Sequence, residues 1–447
     1  MKVGFVGFGE INSPSELINE KCRKAREEIE SLGYTLVTTG PVTDDAAGKD
    51  VARALSDLGK DDFEVLIICL AGWIPSHAVI AITSNYVQKP MLLWGLAGDM
   101  EDGRIVTAAA QAGTTALRKV FSDLGYRFRY VYNIIGKPSP LVKIANFIKA
   151  GFAEKSLTQA KVGMMGFRDM KLYNTLYEGM SLKRDYGIDV EFFEMLEMQQ
   201  EMEGIDKSQI EPLIRKIRAE WHFVKPVDDG FLSRGISYYL AIRKMAATNR
   251  LNAISLKDVD GMKKLLNFPP AFIFMLLADE AGFCTIPEND VMGSVTQLIV
   301  KQLTGQCGAY FEFYEFFEES VLMGVPDYVP AEVVEGKVKV TSAAFGGISG
   351  GLLNISDVKP GKMTLLRLSN TGTTYTMHVV TGTAKPRRWE EAGWQQPAPQ
   401  LPSFEITLDK PVADFADNIS GQHYIAVYGD QTDLLRDFCY LKNINVV

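Results

Sequence analysis

Over the first third of the chain, short apolar runs alternate with longer amphipathic stretches. Residues 3–8 (VGFVGF) read as a strand and 15–32 as a helix. VLIICL at 65–70 and PMLLWGL at 90–96 read as further strands, and 104–124 as a helix. Strands that take turns with helices predict a parallel sheet joined by crossovers. At Lys161 the pattern begins again: KVGMMGF at 161–167 resembles KVGFVGF at 2–8, and each run enters a glycine turn ahead of a helix. Strands are expected at 190–194 and 253–256, and helices over 229–249, 261–281 and 290–304. The last of these carries Val291, Val295, Leu298, Ile299 and Leu303 at helical spacing. Beyond about residue 328 the runs shorten and alternate, as in KVKVTSAAF and TYTMHVVTGTA, with Gly, Pro, Asn or Asp between them. That pattern predicts a β-rich unit, and helix character returns only near the C-terminus.

The fold class that follows is α/β: two Rossmann-like parallel-sheet domains over 1–157 and 158–328, then a β-rich, barrel-like domain over 329–447. Pro-Asp-Tyr-Val-Pro at 326–330 marks the last boundary. A length of 447 residues agrees with three domains at roughly 150 residues each. With 47 basic and 55 acidic residues the net charge is −8, which argues against a nucleic-acid binder and against docking on anionic membranes. No apolar run reaches the roughly 18 residues a membrane span needs. The N-terminus, MKVGFVGFGE, reads as a first strand and not as a signal peptide. The five cysteines are odd in number and unclustered, so neither a disulfide framework nor a cysteine zinc site is expected. The chain is expected to be a soluble, cytoplasmic metabolic protein.

The glycine turns GFGE (7–10) and GFRD (166–169) complete neither GxGxxG nor GxxxxGK[ST]. They read as ordinary βα turns, and a nicotinamide oxidoreductase has little support. Four histidines are present. His378 lies in an alternating run and His222 at a strand start, while His77 follows the 65–70 strand. His423, in Ser-Gly-Gln-His-Tyr, would be presented from a glycine-bearing loop. No zinc-peptidase or Ser/His/Asp pattern emerges.

Carboxylates say more. Glu288 lies in Ile-Pro-Glu-Asn-Asp-Val-Met-Gly, where proline predicts a helix start. The plain reading of its acids is helix capping, yet such junctions are also where α/β folds place active sites. Glu312 lies in AYFEFYEFFEE. An acid among that many aromatic neighbours is either paired or binds a metal.

On these residues the chain resembles the L-fucose isomerase and L-arabinose isomerase superfamily, at a distance but over nearly its whole length. Glu288-Asn289-Asp290-Val291-Met292-Gly293-Ser294-Val295-Thr296 is similar to the family's segment Glu-Ala-Asp-Met-Asp-Gly-Ala-Leu-Thr. The resemblance implies that Glu288 is the first metal-binding carboxylate and Glu312, in Tyr-Phe-Glu-Phe, the second. His423, in Gly-Gln-His-Tyr, matches the third ligand. Ala71-Gly72-Trp73-Ile74-Pro75 resembles the segment whose tryptophan reaches a sugar pocket, often on a neighbouring subunit. Trp389 and Trp394 fall where the C-terminal domain offers another such tryptophan, and Gly346-Gly347 resembles the glycine pair that opens that domain. The chain departs from the arabinose isomerases at 321–325, Val-Leu-Met-Gly-Val, where they carry a further metal-binding His. It departs again near Lys257-Asp258-Val259-Asp260, where relatives carry a polar Lys-Gly-Gln-type stretch.

What the resemblance implies is an aldose–ketose isomerase acting on a free sugar or deoxysugar through an enediol. Glu288 and Glu312 would hold the metal and shuttle the proton, and His423 would complete the ligand set. Asp290 would orient a ligand or water and, with Lys257, border the sugar. Trp73, Trp389 and Trp394 would cover its apolar faces. Two carboxylates and an imidazole suit Mn²⁺ or Mg²⁺. The partners implied are a sugar and further copies of the chain, a trimer or hexamer, with no nucleic acid and no membrane. The site would lie in an interdomain cleft. The alternative is a non-catalytic sugar-binding relative that closes by a hinge.

Overall fold

In the computed structural model the expected strands of the first third lie side by side. The structure describes residues 1–280, 282–325, 328–345, 349–387 and 402–447, and the chain divides into two units, Met1–Lys155 and Ser156–Val447. The first unit holds a parallel sheet in the order Thr35–Thr38, Lys2–Phe8, Val65–Leu70, Met91–Gly95, Phe128–Tyr132. Val65–Leu70 is buried at every residue, as a parallel strand covered on both faces must be, which is why it reads as an unbroken apolar run. The expected helix over 104–124 begins only at Ala110. Before it, Asp99–Glu101 and Arg104–Val106 pair as an antiparallel hairpin. Asp102 and Gly103 at its tip both have positive φ, 48° and 74°, the tight turn that Asp-Gly favours.

The second unit opens with another parallel sheet, in the order Cys284–Ile286, Ala253–Leu256, Lys161–Met165, Asp189–Phe193. The expected helix over 261–281 is two elements. Asp258–Leu265 is a π-helix, and Ala271–Asp279 an α-helix whose residues Ala271 to Ala278 are all buried. Pro269 and Pro270 separate them, because proline cannot donate to a helix interior and pushes its predecessor out of helical geometry. Val291–Thr304 forms the next helix.

The remaining strands build a closed antiparallel β-barrel. Its order is Gly361–Thr371, His423–Tyr428, Ala309–Phe316, Ser320–Gly324, Ser403–Leu408, Thr374–Pro386, and Thr374–Pro386 pairs back onto Gly361–Thr371. The two parallel sheets and this barrel are the α/β and barrel-like classes expected from sequence. The barrel takes Ala309–Phe316 and Ser320–Gly324 from before residue 328. A small sheet of His222–Phe223, Lys339–Phe345 and Ser349–Asn354 stands beside them in chain order. His423 begins a barrel strand instead of projecting from a loop. Its backbone is paired with Glu312 across the strands.

Candidate active site

In an open parallel sheet, ligands settle at the carboxyl edge where the strand order reverses. In the second unit the chain passes from Lys161–Met165 to Asp189–Phe193 on one side, then returns to Ala253–Leu256 on the other. The reversal therefore falls between Lys161–Met165 and Ala253–Leu256. The loops leaving the strands there carry Asp169, Lys257, Asp258 and, beyond Cys284–Ile286, Glu288.

The π-helix arranges these groups. Its wide turn sets residues five apart side by side, which brings Lys263 Nζ to 3.0 Å from Asp258 Oδ2. Both side chains are buried. Asp169, also buried, accepts hydrogen bonds from the Val259 and Asp260 N–H groups at 2.8 Å each and so caps the π-helix. Burial pushes the Asp258 carboxyl up to about 7; Lys263 opposes the rise and the neighbouring Asp169 carboxyl adds to it. Asp258 Oδ1 accepts the Glu288 N–H at 3.1 Å.

Glu288 and Asn289 both have positive φ, 67° and 53°. Two successive non-glycine residues in the left-handed region are held there by their surroundings, at a cost on the order of 1–3 kcal/mol each. Ser255 Oγ donates to the carbonyls of Ile286 and Pro287, at 2.8 and 3.1 Å. Asn289 Nδ2 donates to the Met165 carbonyl at 3.1 Å, tying the turn to the strand across the crevice. Asp290 then caps Val291–Thr304 by accepting the Gly293 N–H at 2.9 Å.

The barrel supplies the facing groups. Glu312 and His423 are directly opposed on antiparallel strands. His423 is 2 % exposed and Glu288 7 %. The imidazole stands between the two carboxylates: Nδ1 is 3.7 Å from Glu288 Oε2, and Nε2 is 3.4 Å from Glu312 Oε2. Tyr310 stacks on the ring with centroids 4.3 Å apart. Burial raises the Glu312 carboxyl, but the His423 hydrogen bond and charge, with Gln422 and Tyr314, outweigh it and hold it below its ordinary range. Gln422 Nε2 donates to Glu312 Oε2 at 2.8 Å.

Arg367, fully buried on Gly361–Thr371, pairs with Asp290 through both terminal nitrogens; the Nη2–Oδ1 distance is 3.0 Å. Tyr310 Oη donates to Asp290 Oδ2 at 2.9 Å. Burial alone would raise Asp290, but Arg367 overcomes it and keeps the carboxyl ionised below its usual range. Gly421 is needed beside this pair, since a Cβ there would lie 2.9 Å from Arg367 Nε.

The structure thus brings together four of the expected residues: Glu288, Glu312, His423 and Asp290. Lys257 is half-buried at the end of Ala253–Leu256, and its N–H donates to the Met165 carbonyl at 3.0 Å. Trp73 belongs to the first unit, 39 % exposed, just past Val65–Leu70. Trp389, Trp394 and the pair Gly346-Gly347 lie outside the described residues. Sequence reading missed Arg367, Tyr310, Gln422 and the role of Asp258. Arg367 had a signal: a single cation among leucines in MTLLRLS is buried and must find a carboxylate.

The donor types fit a divalent cation that prefers oxygen and imidazole. Their placement is a separate matter: among the described residues, no three His, Cys, Asp or Glu side chains are grouped so as to hold a metal ion. Neighbouring ligands of an ion at about 2.1 Å stand about 3 Å apart. Each His423–carboxylate gap is near that, but the two use opposite ring nitrogens. As the side chains stand, the two carboxylates do not meet at one nitrogen of the His423 ring.

Fold and site together define a protein with a buried carboxylate–imidazole cluster between a parallel-sheet edge and a barrel. No family model matches the chain. The chain is similar to sulfoquinovose isomerase of Priestia aryabhattai and of Priestia megaterium, in each case 19 % identical over 373 residues that cover 80 % of this chain and 80 % of the relative. That likeness is a distant one to a sugar isomerase. No helix is long and apolar enough to cross a membrane among the described residues.

Proposed function

We propose that the chain is an aldose–ketose isomerase of the L-fucose/L-arabinose isomerase superfamily, moving a proton between C1 and C2 of a sugar through an enediol. The observation that carries this reading is the pair of carboxylates, Glu288 and Glu312, on opposite edges of one buried imidazole. Isomerisation needs a base for the carbon-bound proton and a means of holding charge on two adjacent oxygens. Glu312, kept ionised by His423 and Gln422, takes the proton from C2, a contribution of about 10²–10⁴-fold for a positioned base. Glu288, on its braced turn, faces the other side of the imidazole and serves the complementary transfer. Glu288, Glu312 and His423 are the residues that would hold Mn²⁺ or Mg²⁺, and the ion when bound supplies Lewis-acid stabilisation of the oxygens. Asp290, fixed by Arg367 and Tyr310, keeps the helix start and the His423 strand in register. Lys257 would border the substrate at the sheet edge, and Trp73 would cover a sugar face. The substrate class is a free sugar, and sulfoquinovose, named for the relatives, joins L-fucose, D-arabinose and L-arabinose as a candidate. A homo-oligomer, trimeric or hexameric, belongs to the same reading.

A sugar-binding protein without chemistry is the second reading; the absence of a ready three-donor group among the described residues favours it. The test is proton exchange at C2 of those four sugars in D₂O with Mn²⁺, comparing wild type with Glu312→Gln, alongside Mn²⁺ binding by calorimetry. Metal-dependent exchange in wild type that falls at least a hundredfold in the variant is the expected result. Sugar binding with neither exchange nor Mn²⁺ binding would replace the isomerase with the binding protein.

A further inference from the structure

The first unit holds a cavity of about 300 Å³ at the carboxyl edge of its own sheet. It opens between helix Ser15–Ser31 and the loops that follow Met91–Gly95 and Phe128–Tyr132. Its volume is at the small end of ligand sites. One wall is fixed by a relay of hydrogen bonds. Trp94 Nε1 donates to Asn133 Oδ1 at 2.7 Å, Asn133 Nδ2 to Ser139 Oγ at 3.0 Å, and Ser139 Oγ to Glu28 Oε1 at 3.0 Å.

Three lysines, Lys21, Lys24 and Lys137, line the cavity together with the carboxylates Glu28 and Asp99, so the cations outnumber the acids by one. Lys24 reaches Glu20 at 3.4 Å. Lys21 is half-buried, yet among the described residues it makes neither a hydrogen bond nor an ion pair. Burial pushes its ammonium below the ordinary lysine range, and the charge of Asp99 offsets this only in part. A cation drawn partly out of water and met only by the charge of Asp99, with no hydrogen bond or ion pair of its own, is unfavourable unless something else meets it. An ammonium acts as a point charge, and in that form lysine meets phosphate-type oxyanions.

We propose that this cavity binds the oxyanion group of a small molecule, a phosphate or a sulfonate, with Lys21 as its main cation and Lys137 at its rim. Its lining residues all belong to the first unit and none of them to the carboxylate–imidazole cluster, and isomerase activity does not enter its test.

The experiment is calorimetric titration of the full chain with inorganic phosphate and with methanesulfonate, for wild type, Lys21→Met, Lys21→Arg and Lys137→Met. Saturable binding of at least one anion is expected, and the tighter of the two identifies the natural group. Lys21→Met should weaken it at least tenfold, Lys137→Met by less, and Lys21→Arg should stay within about threefold of wild type. Without anion, Lys21→Met should melt no lower than wild type, because it removes an unpaired, half-buried charge. Absence of saturable binding of both anions overturns the proposal. So does unchanged affinity in Lys21→Met, or a lower melting temperature of that variant without anion, which would make Lys21 a structural residue.

Discussion

The two parallel sheets share a plan and differ in what stands at their carboxyl edges. Each begins with nearly the same strand, KVGFVGF or KVGMMGF, and in each the second strand goes to one side and the third to the other. In the first unit the reversal between Lys2–Phe8 and Val65–Leu70 is closed by backbone. Ala71 N–H donates to the Phe8 carbonyl at 2.9 Å, and Glu10 N–H to the Trp73 carbonyl at 2.8 Å. Among the described residues, that unit's buried polar side chains are Thr39, Thr83 and Thr114, none of them charged. In the second unit the equivalent edge is crowded with buried Asp169, Asp258, Lys263 and Glu288, with Asp290 and Arg367 beyond. The topology offers a crevice in both. Among the described residues, buried charge is found where a π-helix, a strained Glu288-Asn289 turn and a barrel strand each supply partners, because a buried charge without them is unfavourable by several kcal/mol.

The sharpest break of this comparison is Asp290→Ala. It leaves Arg367 buried and unpaired, removes a helix cap and frees Tyr310 Oη. The expected loss is about 3–5 kcal/mol, read by urea denaturation. Asp290→Leu combined with Arg367→Met should recover most of it, since replacing both charges by apolar groups removes the unpaired cation. Thr114→Val, the matching change at an equally buried site of the first unit, deletes only a hydroxyl bound to the Ala110 carbonyl at 2.6 Å. Its expected cost is below about 1.5 kcal/mol. Equal losses at the two sites would mean that the buried charges of the second unit are no more consequential than its neutral contacts.

What sequence could reveal follows the same division. Strands such as 65–70 and 253–256 were legible because both faces of a parallel strand are apolar. Glu288, Glu312 and His423 were legible because a proline-led helix start, an acid among aromatics and a scarce histidine each stand out locally. Two boundaries were overlooked although their signals are present: Asp102-Gly103 at the hairpin tip and Pro269-Pro270 between the π-helix and the next α-helix. Arg367 and Tyr310 were not found because their role depends on a strand pairing that brings the middle of one strand against a helix start far away in the chain. Asp258 was noticed only as a departure from relatives. Its pairing with Lys263 requires a five-residue turn, and a sequence read at a period of 3.6 does not place those two side by side.

A pH scan sharpens the comparison at an intermediate scale. His378, on the barrel strand Thr374–Pro386, shares a 2.6 Å hydrogen bond with Tyr424 Oη, which in turn accepts the Ser420 N–H at 3.0 Å and so steadies the turn before His423. Burial pushes the His378 imidazole down to about 4, with Lys410 adding to the effect, against an ordinary value of 6.5. The unfolded chain therefore takes up the proton first as pH falls. The stability contributed by neutral His378 is complete above about pH 6.5 and drains between there and about pH 4, at no more than about 1.4 kcal/mol per pH unit. His378→Phe should flatten that part of the stability profile, measured by urea midpoints at successive pH values. An unchanged slope would place the proton uptake on other groups.

Trp73 is a bulky side chain at the carboxyl edge of the first sheet, just past Val65–Leu70. Its backbone is pinned on both sides, with its N–H donating to the Ala108 carbonyl at 2.6 Å and its carbonyl accepting from Glu10. The side chain is 39 % exposed. Removing it uncovers the surface that its covered part holds, at roughly 25 cal/mol per Å². An indole covering a sugar face contributes about 0.5–1.5 kcal/mol beyond simple burial, which is roughly a two- to tenfold change in affinity. On the proposed role of Trp73 in covering a sugar face, Trp73→Ala is expected to raise KM by about that factor, with kcat nearly unchanged, because an indole is neither a general acid nor a general base. Trp73→Phe should recover part of the loss. A KM unchanged for every accepted sugar would leave the carboxyl edge of the first sheet without a part in sugar recognition, and would confine that recognition to the charged edge of the second unit.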